Sequence, residues 1–465
     1  MKITTISATD VVGTLRFDSK FHLSRDNPIL QDLRSAGWPM VTIAEVFGRE
    51  NVWTGNIFAR VYASDPNCGK PLLVPYDLFR YIPWSDKILS RTQVTQFEKL
   101  EIQRGWLFLV CSGRNLGPVT IADEFCERFT MSHDMVRIAV EPSAQLFYLA
   151  AFLSTSHGQA AVRTDMNGSV IDHTDAKQVA ALRYPLVDEP TRERCANLFE
   201  SAFLKREEAR LKLSEARTEY AKLFDFDGLS ASASRQRRYA TARSLLADRL
   251  DAEPRAPYYE AVRSWLTARG GVRLNDVARV CKPGSRYKTN YVEDSAHGIR
   301  MMNGRQVAQY RPIALKLMNL SAFRDASQFK LKRGMTLLTA DGRAEENLAD
   351  CVMIAKDRDG WGASGHVHRV VPKNDTHPGL VYLACSSAPV QAQLKALATG
   401  SVVDALSESD VGSVVVPYGT TGRLVELGDQ AVMCWDLFGE AIKLEEQATA
   451  LLESKFSEGW QGPQN

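Results

Sequence analysis

The chain is short of several features that would classify it at once. None of its eight cysteines, Cys68, Cys111, Cys126, Cys195, Cys281, Cys351, Cys385 and Cys434, forms a C-x-x-C pair. A zinc ribbon or a disulfide scaffold is therefore not expected, and mostly apolar neighbours point to buried free thiols in a reducing compartment. Apolar runs such as Leu146 to Leu153 stop far below the roughly 20 residues that span a bilayer, and the start MKITTISATDVVG has no secretory-type apolar run. A soluble, cytoplasmic protein is the expectation. Charge of one sign is also missing, with 57 Lys+Arg against 55 Asp+Glu, so any polyanion partner must be met by local basic patches. Catalytic signatures are absent too: no G-x-x-x-x-G-K-[ST], no G-x-G-x-x-G after a strand, no H-E-x-x-H, no G-x-S-x-G and no Asn-Pro-Pro-aromatic motif. That set argues against an intrinsic nucleotide-using or methyl-transferring enzyme.

What is present is globular material in quantity. With 465 residues, 45% hydrophobic and 24% charged, a disordered or fibrous chain is excluded and two to four domains are expected. Self-comparison then finds a duplication. Arg16-Phe17-Asp18 recurs as Arg249-Leu250-Asp251, and Val41, Ile43 and Val46 recur as Val272, Leu274 and Val277. Arg104-Gly105 matches Arg333-Gly334, and Ser112-Gly113-Arg114 matches Asp341-Gly342-Arg343, both at an offset of 229. The segment Gly168 to Asp172 returns as Gly400 to Asp404 at an offset of 232, followed at that offset by Pro185 and Pro417.

Each half has one plan, a β-rich block and then a long helix. Short apolar runs led by glycine, Gly105 to Cys111 and Gly334 to Thr339, read as buried strands; Met135 to Val140 and His366 to Val371 read as the next strand. Leu146 to Leu153 and Val390 to Leu397 read as the corresponding short helices. From Thr191 to Phe224 there is no Gly or Pro, and Cys195, Leu198, Ala202, Ala209, Leu213, Ala216, Tyr220 and Leu223 make a heptad seam. A second stripe, Ala431, Cys434, Phe438, Ala441, Ala448 and Leu452, lies on a helix from about Leu427 to Phe456. A narrow seam on so long a helix needs a partner, and the other copy is the nearest one. The fold class expected is α+β, with blocks at 1–187 and 228–420 and long helices at 188–227 and 421–465, the two helices packing as an antiparallel coiled coil.

Candidate binding residues are local basic groups on turns. Arg114 and Asn115 sit in a glycine-bounded turn that reads first as a strand exit and second as a phosphate cradle; Arg343 holds the equivalent place. Arg235, Arg237, Arg238 and Arg243 occur between Gly228 and Ala247 without an acid. Lys282, Arg286, Tyr287 and Lys288 share a turn-rich loop whose first-half counterpart carries Arg60, and Arg305 adds a further base. Lys and Arg suit phosphate contacts, while Arg and Asn suit base edges. His366 and His368 share a strand face but lack a histidine counterpart at Asp134 and Val136, so ordinary strand roles are preferred over a metal.

Two β-rich blocks, each with an Arg-Leu-Asp-like opening, a glycine-led strand with a Ser-Gly turn, a Gly-Ser-Val segment, a proline and a long helix, resemble the specificity subunit of type I restriction-modification systems, or a divergent specificity protein of a related methylation-linked defence system. The resemblance spans about residues 15 to 460; the proline-rich, Gln-ending lead into the helix is replaced here by Tyr184 to Pro190 and Val416 to Gly419. It implies a non-catalytic subunit whose blocks are target recognition domains, each reading half of a bipartite duplex site, with the helices as spacer. Partner methyltransferase subunits would carry S-adenosylmethionine and methylate adenine N6, and a restriction or translocase subunit is a further possible partner. The chain itself would bind no cofactor. A protein-only scaffold and, behind it, a self-contained nuclease are the alternatives.

Overall fold

The computed structural model describes residues 8, 27–164, 172–232, 254, 256–284, 287–321, 323, 325–344, 346–400 and 402–459. The chain separates into two compact units, one from Met1–Glu207 with Glu440–Asn465, the other Glu208–Gly439. Each contains one β-rich block and a portion of each of two long helices.

The first unit runs α1 (Pro28–Ser35), β1 (Met40–Thr42), α2 (Ile43–Phe47), β2 (Val52–Thr54), β3 (Gly69–Leu73), α3 (Pro75–Leu78), β4 (Ile88–Ser90), β5 (Leu107–Val110), β6 (Val119–Ile121), β7 (Thr130–Met131) and β8 (Met135–Ile138). Then follow α4 (Ala144–Ser154), α5 (Ser156–Thr164), α6 (Ala176–Ala181), β9 (Arg183–Pro185) and α7 (Glu189–Leu223). The main sheet is antiparallel in the order β2-β8-β5-β6, a second sheet has the order β4-β3-β7 with β3 and β7 parallel, and β1 pairs with β9. All four residues of β5 are buried, as its unbroken apolar run requires of a strand covered on both faces. Gly105 leads into it at φ +89°, and a Cβ there would lie 2.5 Å from Pro142, so only glycine makes this turn. In α4, eight consecutive residues from 146 to 153 are buried; a helix apolar all round is a core helix. It packs in one core with Leu107, Leu109, Val136, Ile138, Phe199 and Phe203.

The second unit repeats the plan with α8 (Phe226–Ser232), α9 (Pro257–Ala268), β10 (Val272–Arg273), α10 (Leu274–Val277), β11 (Ala278–Cys281), β12 (Tyr291–Val292), β13 (Ile299–Met302), α11 (Gly304–Val307) and β14 (Lys316–Met318). It continues through β15 (Thr336–Thr339), β16 (Asp341–Gly342), β17 (Cys351–Met353), β18 (Gly362–Ala363), β19 (Val367–Pro372), α12 (Pro378–Ser386), α13 (Ala388–Ala396), β20 (Asp404–Ala405), α14 (Glu408–Ser413), β21 (Val415–Val416) and α15 (Gly422–Glu458). The order β11-β19-β15-β17 copies β2-β8-β5-β6, and β14-β13-β18, again with one antiparallel and one parallel pairing, copies β4-β3-β7. The repeat is therefore one of topology as well as of short motifs. One pairing differs from the sequence reading: α4 corresponds to α12, whose residues 379–385 are all buried, and Val390 to Leu397 falls on α13, the counterpart of α5. In the second half α12 and α13 follow each other directly and both carry buried apolar residues, so the apolar pattern alone does not tell which of them matches α4.

The two long helices pack antiparallel within each unit. In the first, Lys455 pairs with Asp188 at 3.3 Å, the Cys195 thiol donates to the Ala448 carbonyl, and Lys205 pairs with Glu440 at 2.7 Å. In the second, Gln430 donates to the Lys212 carbonyl at 3.1 Å, and Arg423 approaches Glu219 at 3.9 Å. Ala202, Ala209, Ala216, Cys434, Ala441 and Ala448 are all fully or almost fully buried, and such small side chains let backbones approach closely. The anticipated seam is shifted at two places. Leu198 is only partly buried and Leu223 is half exposed, whereas Phe199 and Phe203 are buried because α7 also packs against its block. Among the described residues no helix is long and apolar enough to cross a membrane. The eight cysteines are free; Cys68 is exposed rather than buried, while burial pushes Cys111, Cys195, Cys385 and Cys434 up to about 12.

Candidate nucleic-acid interface

Five of the candidate bases, Arg60, Arg114, Lys282, Lys288 and Arg343, lie on loops at the ends of the block strands, and Arg305 lies on a short helix. Arg60 is exposed on the segment that leaves β2, and Asn56 anchors that segment by donating to the Thr95 carbonyl at 3.0 Å. Arg114 is exposed at the turn that leaves β5; the half-buried Asn115 beside it donates to the Tyr76 hydroxyl at 3.3 Å, which ties this turn to α3. The turn is clasped from below: Ser112 donates to Asp134 at 3.2 Å, and Ser112 bridges to His173 in the strand pattern.

The second block builds the same clasp from exchanged chemistry. Asp341, in the place of Ser112, contacts His366, in the place of Asp134, at 2.6 Å, and β16 pairs with β20 where Ser112 bridges to His173. Arg343 is exposed on this turn, with Glu346 at 3.6 Å and with its N–H on the Asn347 side chain at 3.3 Å. Arg305 is exposed in the first turn of α11, capped by Asn303, and lies at the position that Tyr76 holds in the first block. Thus each block carries a basic turn after its central strand and a short helix after β3 or β13, and in the first block the two are joined by the Asn115–Tyr76 contact. His366 and His368 do not act together: burial pushes His368 down to about 4, and its Nε2 contacts the Leu406 carbonyl at 3.0 Å. Among the described residues no group of three His, Cys, Asp or Glu side chains converges to hold a metal.

The loop after β11 is only partly as expected. Lys288 is exposed, and the half-buried Lys282 fixes its backbone through Glu408 at 2.8 Å. Tyr287 has its ring spent in an aromatic cluster, edge-on to Phe329 at 4.8 Å and Phe323 at 5.7 Å, with its hydroxyl accepting from the Gly365 N–H. This packing makes it a post for the loop, and burial raises its phenol. Arg235, Arg237, Arg238, Arg243 and Arg286 lie outside the described residues, as do the Arg-Phe-Asp and Arg-Leu-Asp elements and Gly168 to Ile171. Sequence reasoning passed over the exposed aromatics Tyr62, Tyr76, Trp84 and Tyr291, the last with Lys316 at 4.6 Å over its ring. Only their exposure marks them, and exposure is invisible in a β-rich sequence.

A protein of this class is defined by a duplicated α+β block whose helical arms pair within each unit. Among solved structures, the chain is similar to a type I restriction-modification system S subunit from M. genitalium, at 12% identity over 92% of this chain and 97% of that one, with a TM-score of 0.32. It is also similar to an HsdS subunit from Thermoanaerobacter tengcongensis, at 14% identity over 90% and 97% of the two chains, with a TM-score of 0.26. A third structure, concerned with complex assembly and conformational transition of the type I R-M system, is similar at 13% identity over 90% and 97%, with a TM-score of 0.27. No family model and no curated protein matches the sequence. At this level of likeness the function has to be argued from the chain's own residues.

Proposed function

We propose that the chain is a non-catalytic, sequence-specific DNA-binding subunit, each block reading one half of a bipartite duplex site. The observation that carries the reading is the repetition of an exposed arginine on the same clasped turn in both blocks, Arg114 and Arg343, beside a second basic loop in each. Two copies of one reader on one chain suit two half-sites, and α7 and α15, each with residues in both units, suit a spacer between them. Its partners on this reading are adenine-N6 methyltransferase subunits carrying S-adenosylmethionine and, in a complete system, a restriction subunit. The exposed side of α7, where Pro190, Glu193, Arg194, Asn197, Leu198 and Ser201 line a shallow groove, offers such a partner a surface. The purified full-length chain, incubated with a random duplex library, should select two short motifs separated by an unread gap, with affinity that falls steeply as salt rises. Binding with no selected motif overturns the specificity reading. Cleavage or methyl transfer by the chain alone would favour an enzyme instead.

A further inference from the structure

Two arginines at matching places in the two blocks are buried where a charge is costly. Arg137 of β8 and Arg369 of β19 occupy equivalent places in the two main sheets and are 0% and 2% exposed. Among the described residues neither guanidinium touches a carboxylate. Arg137 donates from Nη1 to the Met135 carbonyl at 3.2 Å and from Nη2 to the Met131 carbonyl at 2.9 Å. Arg369 repeats both contacts, Nη1 to the Val367 carbonyl at 2.6 Å and Nη2 to the Ala363 carbonyl, and adds the Ser364 carbonyl at 3.1 Å and the Phe329 carbonyl at 3.3 Å. In both residues Nε is buried without a hydrogen bond. Burial lowers both side chains to about 10. An apolar side chain of similar volume would be easier to bury, so a twice-repeated buried cation calls for a purpose.

What lies against each guanidinium supplies one. In the first block the backbone of Gly55, at the root of the segment that carries Arg60, rests on Arg137: a Cβ on Gly55 would lie 3.1 Å from Nη1 and 3.2 Å from Nη2. The same guanidinium lies over Trp53, with the ring centroid at 5.0 Å, and donates to the β7 carbonyl of Met131 in the second sheet. In the second block Arg369 grips Ser364, and the next residue, Gly365, lies against the carbonyls of Pro283 and Gly284 and donates to the Tyr287 hydroxyl. That is the root of the loop carrying Lys282 and Lys288. The planar fork of an arginine presents its Nη donors in a fixed geometry, so one side chain holds carbonyls of two segments in register.

We propose that Arg137 and Arg369 are positioning residues for DNA readout, each holding its block's basic loop from behind by bridging the two sheets; this rests on the DNA-binding reading above. Two independent loops held by the same device predict independent losses. In the library selection with full-length protein, Arg137→Met should degrade one half-site, its preferred bases falling about tenfold in enrichment, while the other half-site is read as before. Arg369→Met should do the reverse. Both variants should melt as cooperatively as the wild type, because the methionine fills the same space. A folded Arg137→Met protein that reads both half-sites unchanged, or loses both equally, overturns the proposal. Should Arg137→Met not fold, Gly55→Ala keeps the guanidinium and pushes on it. The same single half-site should then weaken, and unchanged readout overturns the proposal as well. A wild-type chain that selects no duplex removes the DNA-binding reading and this inference with it, whereas a selective wild type with indifferent variants removes the inference alone.

Discussion

Arg104 grips Glu207 of α7 with Nε at 2.7 Å and Nη2 at 2.8 Å, and Arg333 grips Asp436 of α15 with Nε at 3.2 Å and Nη2 at 2.6 Å, both across a separation of 103 residues. The backbone N–H of each arginine is held by a second acid, Glu127 at 2.9 Å for Arg104 and Asp359 at 3.0 Å for Arg333. The neighbouring carboxylate raises both guanidinium groups above their usual range. Each block is thus bolted to the helix that follows it in the chain, and the bolt survived duplication with Glu in one copy and Asp in the other. Glu207→Ala should destabilise the first unit by about 1–2 kcal/mol, a modest loss because Arg104 keeps part of its surface in water. Denaturant unfolding checks it, and Arg104→Glu with Glu207→Arg should recover part of the loss.

Arg206 and Glu445 form a different kind of pair, 4% and 3% exposed, in the helix pairing of the first unit. Arg206→Ala removes the cation from a buried carboxylate and should cost about 3–5 kcal/mol. Replacing both residues with Met should come close to neutral. A small-residue seam is permissive of sliding, so the double variant should keep its stability while tolerating more than one helix register. Cysteine cross-linking across the helices would reveal the extra registers.

The buried His368 makes acid stability testable. Its folded value lies near 4 against an ordinary 6.5, so the unfolded chain binds its proton first. The stabilisation is complete above about pH 6.5 and is lost as pH falls towards 4, on the order of 3 kcal/mol in all. Unfolding free energies measured at pH 7 and pH 4 should therefore converge in His368→Gln, which keeps a donor for the Leu406 carbonyl. An undiminished difference would assign the acid sensitivity to other groups.

Arg114→Ala and Arg343→Ala should each weaken duplex binding and reduce the slope of log affinity against log salt by about 1 if the contact is to phosphate. The loss should be smaller for Arg343, because Glu346 already competes for it at 3.6 Å. Glu346→Gln should accordingly tighten binding. Titrations at several salt concentrations separate this electrostatic effect from misfolding.

Extending α7 by one turn next to Ala209 should change the tolerated gap between half-sites, measured in the same library selection. Ala209 is fully buried, so a four-residue insertion preserves the helix but resets its face against the seam. A variant that folds and keeps the original gap would end the spacer reading.

The duplication, the two long helices and the buried central strands are written in the sequence because they are local or periodic: glycine before an apolar run, a seven-residue step of small side chains, a motif that returns after 229 residues. The candidate turn at Arg114 and Arg343 was legible for the same reason. What only the tertiary structure decided is long-range. It brought Arg104 onto Glu207, put Arg137 and Arg369 behind the basic loops, turned Tyr287 inward against Phe329, and paired α4 with α12. An arginine reads alike in a sequence whether it faces water or a cage of carbonyls. The difference is made by desolvation and by the partners that the chain brings together only when its sheets close.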